Sequence, residues 1–143
     1  MKKIGYLILF VFTGCASAIK TKMDFNVLNC HIIEIKEYGN TFRLKALNKE
    51  KDTVLIISLK EVYYNKNSYK KPVLENLQEI QLDKEYNFYV TQKKPLVSTM
   101  EQLGAFIVVE NDTLWSSRSY KDIPLSFISH NTIGKYYSPK ATN

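Results

Sequence analysis

Cysteine and histidine, which often serve as nucleophile, general base or metal ligand, are few in this chain. There are two cysteines, Cys15 and Cys30, and two histidines, His31 and His130. A cysteine beside a histidine can form a nucleophile and base pair. Neighbouring residues of a strand point to opposite faces, however, so Cys30 and His31 cannot act together in a regular strand. We therefore interpret Cys30 as a buried core residue and His130, in a loop-like sequence, as a surface residue.

Known catalytic motifs are also missing. The sequence contains no GxSxG, HExxH, CxxC, GxGxxG or P-loop pattern. Two histidines are too few for a cluster of metal ligands. Two of the closely spaced acidic pairs, Glu34 with Glu37 and Glu50 with Asp52, are interpreted as solvent-exposed edges and turns. The sequence therefore predicts no catalytic residue, no metal site and no cofactor, and a protein that is not an enzyme.

The N-terminus has the pattern of an export signal. Lys2 and Lys3 give it a positive charge, and the nine residues Ile4 to Phe12 contain no charge. As a helix this run would reach about 13.5 Å, less than half of a bilayer core of about 30 Å. A membrane span is therefore not expected. A basic start followed by a short apolar run is typical of a secretory signal peptide, so the chain is expected to leave the cytoplasm.

The apolar run ends in Phe12-Thr13-Gly14-Cys15. This stretch resembles the lipobox of bacterial lipoproteins, in which a small residue precedes a cysteine that receives diacylglycerol and becomes the mature N-terminus. Thr13 and Gly14 match the pattern, whereas Phe12 departs from the more usual leucine. The resemblance implies lipid attachment at Cys15, acylation that includes palmitate, and anchoring in a membrane of the cell envelope.

The same resemblance divides the chain into a signal peptide (1–14), a lipid-anchored tether (15–24) and one β-rich domain (25–143). Ala16, not aspartate, follows the cysteine, which by analogy with other lipoproteins favours the periplasmic face of the outer membrane. The alternative is cleavage after Ala16-Ser17-Ala18, which would release a soluble periplasmic or secreted protein. Either processing event acylates or removes Cys15, so Cys30 is left without a disulfide partner.

Composition indicates one folded domain with many strands. The 143 residues suffice for a single core, and 45% hydrophobic with 24% charged residues is typical of a globular protein. Ten tyrosines and many β-branched residues favour strands. The net charge is +6. Without Lys2 and Lys3 the chain has 18 basic and 14 acidic residues, so the net charge is +4. This mild and dispersed excess does not indicate a nucleic-acid partner.

Hydrophobic patterning predicts a small barrel. Three antiparallel strands are expected around the turns Gly39-Asn40 and Asn48 to Asp52, the first because Gly and Asn tolerate the positive φ of a hairpin turn. Val54 to Leu59 is apolar on both faces, as in a central strand. The later elements are a short amphipathic helix on Val73, Leu77 and Ile80 (or irregular packing), a strand Tyr86 to Val90, a helical turn from Ser98 to Glu101, and a hairpin Ala105 to Trp115. Tyr136 and Tyr137 are expected to pack on the barrel.

Three strands, a helix and then two or three strands resemble the element order of the OB-fold, a small Greek-key barrel. The resemblance covers Asn26 to Ser117 and implies a fold, not a function. The predicted class is all-β with one short helix, as a small antiparallel OB-like barrel of five to six strands.

One loop mixes aromatic and basic residues. The stretch YYNKNSYKK offers stacking platforms and cations that suit single-stranded nucleic acid or a sugar polymer, and its alternative interpretation is an exposed loop. The candidate ligand-binding residues are Tyr63, Tyr64, Lys66, Tyr69, Lys70 and Lys71. For an exported protein the expected partners are a glycan or another envelope protein, and not nucleic acid.

The resulting hypothesis is a lipid-anchored envelope protein whose β-barrel is a non-enzymatic binding or accessory module. Two alternatives stay open at this point. One is a soluble periplasmic enzyme or enzyme inhibitor, and the other is a polyanion or glycan binder that uses the Tyr63 to Lys71 loop.

Overall fold

The computed structural model describes residues 25–61, 73–97, 104–117 and 123–142, and these residues form strands and connections with no helix. None of the described segments has a helix of the length and apolar character needed to cross a membrane. The strands are β1 (Asn26–Glu37), β2 (Thr41–Leu47), β3 (Thr53–Leu59), β4 (Val73–Glu75), β5 (Gln78–Glu79), β6 (Glu85–Gln92), β7 (Leu96–Val97), β8 (Ala105–Val109), β9 (Asp112–Ser117), β10 (Leu125–Ser129), β11 (Thr132–Ile133), β12 (Tyr136–Tyr137) and β13 (Lys140–Thr142).

Five of these strands form a closed barrel in the order β1-β2-β3-β10-β6, with β6 pairing back to β1. Pairing is antiparallel between all neighbours except β3 and β10, which run parallel. The all-β class predicted from the sequence is thereby confirmed, and the barrel has five strands, within the predicted number, although one of its pairs is parallel. Closure removes the free edges that an open sheet of this size would expose.

Strand β1 closes the barrel because it pairs with two different neighbours. Its first half, Asn26 to His31, lies against β6, and its second half, from His31 to Glu37, lies against β2. The register shifts between Ile32 and Glu34, where the strand carries a bulge. A bulge adds one residue and bends the strand, which allows one long strand to follow both sides of a small barrel.

The barrel interior is filled by residues that alternate along each strand. On β6 the buried residues are Tyr86, Phe88 and Val90, and on β3 they include Val54 and Ile56. Phe88 is completely buried, and its ring centroid lies 5.9 Å from that of Tyr86 and 5.9 Å from that of Tyr137. Three aromatic rings therefore pack together in the core, and Phe88 is the largest fully buried side chain of the described residues.

A second apolar group, here called the outer cluster, lies outside the barrel. It is made of Leu55 and Ile57 on β3 with Ile107, Val109 and Leu114 of the β8-β9 hairpin. Leu55 and Ile57 alternate with the inward Val54 and Ile56, so the hairpin covers the outward face of β3. This cover explains why β3 is apolar on both faces.

The helix predicted around Val73 to Ile80 is wrong. The chain instead forms β4 and β5, which pair with β13 and β12 near the C-terminus. Asn76 between them has a φ of 54°, a left-handed conformation that no α-helix continues through. Of the three apolar residues read as one helical face, Ile80 is buried in the barrel core and Leu77 is 47% exposed. Pairing with strands that are distant in the sequence therefore determines the structure of this segment, and the helical spacing of its apolar residues does not.

The barrel also extends further along the chain than predicted. Its fifth strand is β10, Leu125 to Ser129, whereas the hairpin Ala105 to Trp115 lies outside the barrel. The OB-like region therefore does not end at Ser117. Tyr137 joins the core as expected, but Tyr136 is 42% exposed. The helical turn predicted from Ser98 to Glu101 lies outside the described residues.

Candidate binding cleft beside Trp115

A cleft of about 560 Å³ lies on the outward side of β2, β3 and the start of β10. This volume falls in the range of about 300 to 1,000 Å³ that is usual for small-ligand sites. Its charged lining comes from Glu34, Arg43, Lys45 and Asp52, and Trp115 forms part of its wall. Apolar contacts come from Leu55, Ile123, Pro124 and Leu125. The cleft thus combines both signs of charge with an aromatic surface.

Strand register brings these side chains together. Arg43 and Lys45 alternate on β2 with the buried Leu44 and Ala46, so both point away from the barrel interior. Lys45 on β2 is paired with Glu34 of β1 on one side and with Leu55 of β3 on the other. Residues far apart along the chain therefore share one outward patch.

Arg43 holds one end of this patch in place. Its Nη2 pairs with the Glu34 carboxylate, and its Nη1 donates to the carbonyl oxygen of Leu114 at 2.8 Å. The guanidinium also lies over the Tyr38 ring, 5.8 Å from the ring centre. With only 17% of its side chain exposed, Arg43 positions Glu34 and the β8-β9 hairpin.

The Leu114 carbonyl is available because β9 is irregular there. Ile107 pairs with Trp115 and Val108 with Thr113, so Leu114 is an extra residue in the ladder. A bulged residue leaves the ladder locally unpaired. Its carbonyl accepts hydrogen bonds from Arg43 and, at 3.4 Å, from the Tyr38 hydroxyl, while its side chain enters the outer cluster. The bulge thus ties the hairpin to the barrel.

The tip of the hairpin is fixed to the turn between β1 and β2. The carboxylate of Asp112 accepts hydrogen bonds from the Asn40 backbone N–H at 2.7 Å and from the Thr41 hydroxyl at 2.9 Å. The Asn40 side-chain amide donates to the Glu110 carbonyl at 2.8 Å. Glu110 and Asn111 have φ values of 47° and 68°, as a tight two-residue hairpin turn requires.

The Gly39-Asn40 hairpin was predicted correctly, but for a reason that the structure does not support. Neither residue is among the described residues with positive φ. A Cβ atom on Gly39 would instead lie 3.0 Å from Oδ1 of Asp112, closer than such atoms normally come. Glycine is needed at this turn because the Asp112 carboxylate approaches its backbone.

We expect Asp112→Ala to lower the free energy of unfolding by about 1.5 kcal/mol at neutral pH. This value is at the low end of the range for hydrogen bonds to a charged group, because the site is partly open to water. Burial raises the pKa of Asp112, but the hydrogen bonds from Asn40 and Thr41 outweigh it and hold the pKa below the ordinary 3.8. This stabilisation is therefore complete above that value and is lost as the pH falls through the lower folded-state pKa.

Urea unfolding of wild type and variant at neutral pH and near pH 3 measures this effect. The difference between the two proteins should shrink in acid. Glu85→Ala, which removes an exposed carboxylate of β6, is the control and should change little at either pH. An equal deficit for Asp112→Ala at both pH values would show that the charge of Asp112 is not what stabilises the contact.

Cys30 and the two histidines do not form a catalytic group. Cys30 is fully buried, as predicted, and burial together with the nearby Glu50 raises the pKa of its thiol to about 11. His31 lies on the other face, with Nε2 3.7 Å from Asp83. His130 is not the surface residue expected: it is partly buried, its Nε2 lies 2.9 Å from the Thr91 hydroxyl, and burial lowers its pKa.

The other candidate residues are not tested by the structure. Cys15 and the six residues of the Tyr63 to Lys71 loop lie outside the described residues. Within residues 25–61, 73–97, 104–117 and 123–142, no group of three or more His, Cys, Asp and Glu side chains could hold a metal ion.

The cleft residues themselves were missed by sequence reasoning. Glu34 and Asp52 were interpreted as solvent-exposed edges, and Trp115 as part of a hairpin. The one available signal was that Trp115 is the sole tryptophan of the chain. No family model, curated protein or solved structure matches this chain. Its function must therefore be argued from the cleft and from the N-terminal sequence.

Proposed function

We propose that this chain is a lipid-anchored protein of the bacterial cell envelope whose barrel is a non-enzymatic binding module. The cleft beside Trp115 is the observation that carries the binding role. It is large enough for a small ligand or for part of a polymer, and it combines an aromatic wall with charged groups of both signs.

The ionisable groups of the described residues favour binding over catalysis. Arg43 and Glu34 in the cleft are paired with each other, which leaves neither as a free acid or base. The groups with a shifted pKa have structural contacts: Cys30 is a buried thiol, Asp112 fixes the hairpin and Tyr137 packs in the core, while His130 contacts the Thr91 hydroxyl and Lys135 pairs with Glu79. None of the five lines the cleft. A catalytic acid or base would be expected inside a cleft with its pKa tuned to the reaction.

The anchor part of the proposal rests on the basic start, the short apolar run and Gly14-Cys15. Lipid attachment at Cys15 leaves residues 16–24 as a tether before β1, which begins at Asn26. The module would then act at a membrane surface of the envelope, on the periplasmic face of the outer membrane.

Expression in a bacterial host with labelled palmitate tests the anchor. The wild-type chain should be labelled, Cys15→Ser should not, and Cys30→Ser should be labelled like wild type because its thiol is buried and serves no attachment. An unlabelled wild-type protein whose mature form begins at Ile19 would replace the lipoprotein with a soluble exported one.

Trp115 reports on the binding role, because it is the chain's only tryptophan. The mature protein, purified in detergent, is titrated with lipid, glycan and protein fractions of the host envelope while tryptophan emission is recorded. At least one fraction should change the emission saturably, since a ligand in the cleft alters the surroundings of the indole. If no fraction does so, the binding module is contradicted whatever the result of the palmitate experiment.

A further inference from the structure

We propose that the cleft binds a neutral saccharide, with one sugar ring packed against Trp115 and its hydroxyl groups bonded to Glu34, Lys45 and Asp52. This inference rests on the proposed binding function and narrows it to one ligand class. It concerns a different part of the chain from the Tyr63 to Lys71 loop.

The balance of charge in the cleft favours an uncharged ligand. Two basic residues, Arg43 and Lys45, face two acidic residues, Glu34 and Asp52, so the formal charges cancel. Arg43 is already paired with Glu34. A phosphate or sulfate group would meet the carboxylate of Asp52 with little net attraction, and an amine would meet Lys45 in the same way. A neutral ligand is repelled by neither Asp52 nor Lys45.

The hydrogen-bonding groups point to the same class. Ionised Glu34 and Asp52 only accept hydrogen bonds, the Lys45 ammonium only donates, and the Thr53 hydroxyl does both. An ionised phosphate oxygen cannot donate to a carboxylate, and an ammonium cannot accept from lysine. Sugar hydroxyl groups donate and accept, so neighbouring hydroxyls on one ring can satisfy an acid and a lysine together.

The remaining lining suits the ring itself. Trp115 supplies an aromatic surface, and Pro124 and the 48% exposed Leu125 add apolar contacts. A pyranose ring has C–H groups on its faces and hydroxyl groups around its rim. Such a ring can lay one face on the indole while its rim reaches the polar side chains.

The outer cluster explains why the site lies at this place on the barrel. The hairpin covers the outward face of β3 at Leu55 and Ile57 and is fixed at its tip to the β1-β2 turn. The cleft is bounded by Asp52 and Thr53 at the other end of β3. A ligand is therefore confined to the uncovered end.

The test is a titration of the mature protein, followed by Trp115 emission, with cellohexaose, maltohexaose, chitohexaose and the envelope glycan fraction. A heparin fragment and a thymidine oligonucleotide are the polyanion probes. We expect at least one neutral saccharide to bind with an affinity that is nearly unchanged between about 50 and about 200 mM NaCl. A polyanion that bound through phosphates would lose affinity steeply over that range.

Two substitutions locate the site. Asp52→Asn, at an exposed turn position where folding should be unaffected, should weaken binding about tenfold through loss of a charge-assisted hydrogen bond. Trp115→Ala should abolish the calorimetric signal of binding, and Trp115→Phe should restore much of it because an aromatic face remains. Glu85→Gln, which removes an exposed charge of β6 away from the cleft, should bind like wild type.

Four results would overturn the proposal. If the lipid or protein fraction changed the emission and no saccharide did, the protein would still be a binding module, but its ligand would not be a sugar. Salt-sensitive binding of the polyanions alone would assign a charged ligand. Saccharide binding that survives both Asp52→Asn and Trp115→Ala would place the sugar elsewhere on the protein. Failure with every fraction and every probe would reject the binding module itself.

Discussion

Phe88→Ala is expected to lower the free energy of unfolding by about 3 to 5 kcal/mol, the usual cost of removing a large aromatic ring from a core. Phe88 is fully buried and contacts Tyr86 and Tyr137 at the centre of the barrel. Its ring therefore joins β6 to the C-terminal segment. The surrounding strands form a closed ring of hydrogen bonds, which limits how far they can collapse into the space left by the ring.

Urea unfolding followed by far-ultraviolet circular dichroism measures this loss. Leu82→Ala removes an apolar side chain that is 53% exposed, and it should cost no more than about 0.5 kcal/mol. A Phe88→Ala protein that lost less than about 1 kcal/mol would show that the barrel interior is not packed around this ring.

Asn131→Asp is expected to cost about 3 kcal/mol or more at neutral pH, because it places a charge in a buried hydrogen-bond network. Asn131 is fully buried. Its side-chain oxygen accepts from the Tyr89 backbone N–H at 2.9 Å, and its Nδ2 donates to the carbonyl oxygens of Asn87 and Ser138, each at 3.0 Å. The Asn131 amide forms hydrogen bonds to β6 as a backbone peptide group would. It does so just after the residues where β10 pairs with β6. In the Asp variant a carboxylate oxygen would replace Nδ2 and face the carbonyl oxygens of Asn87 and Ser138, to which it has no hydrogen to donate.

The pH dependence identifies the cause. Burial and the facing carbonyls raise the pKa of the introduced carboxyl group above its unfolded value of about 3.9. The deficit relative to wild type is therefore greatest above the raised pKa and shrinks as the pH falls towards the unfolded value. Asn87→Asp is a matched control, because the exposed Asn87 side chain uses its oxygen to accept from Asn29 at 2.9 Å and keeps that ability. If both variants lost the same stability, the buried network would not be the reason.

The sequence predicted those strands whose side chains alternate between two environments. Tyr86, Phe88 and Val90 were assigned to one strand on that pattern, and all three are buried. The helix from Val73 to Ile80 failed because three apolar residues at helical spacing are too weak a pattern to decide between a helix and pairing with distant strands. Its backbone groups are paired by strands some 60 residues further along the chain, at Tyr136 and Ala141.

The candidate cleft could not be predicted in the same way. Glu34, Lys45 and Asp52 are ordinary polar residues of strands and turns when they are considered one at a time. They become neighbours through the register of β1, β2 and β3, and register depends on the bulge and on the burial of the other face. Trp115 joins them because the hairpin is fixed by Asp112 and by the Leu114 carbonyl, contacts that link residues about 70 positions apart.

By itself the sequence determined the all-β class, the three N-terminal strands and the burial of Cys30, and it supplied the expectation of export and lipid attachment. These features follow from local alternation, turn residues and short N-terminal patterns, which act over a few residues. Only the tertiary structure decided that β10 closes the barrel in parallel with β3, that the hairpin lies outside it, and that charges of both signs meet beside Trp115. Such pairings join distant parts of the chain, and their free energy depends on surfaces that exist only after the barrel has formed.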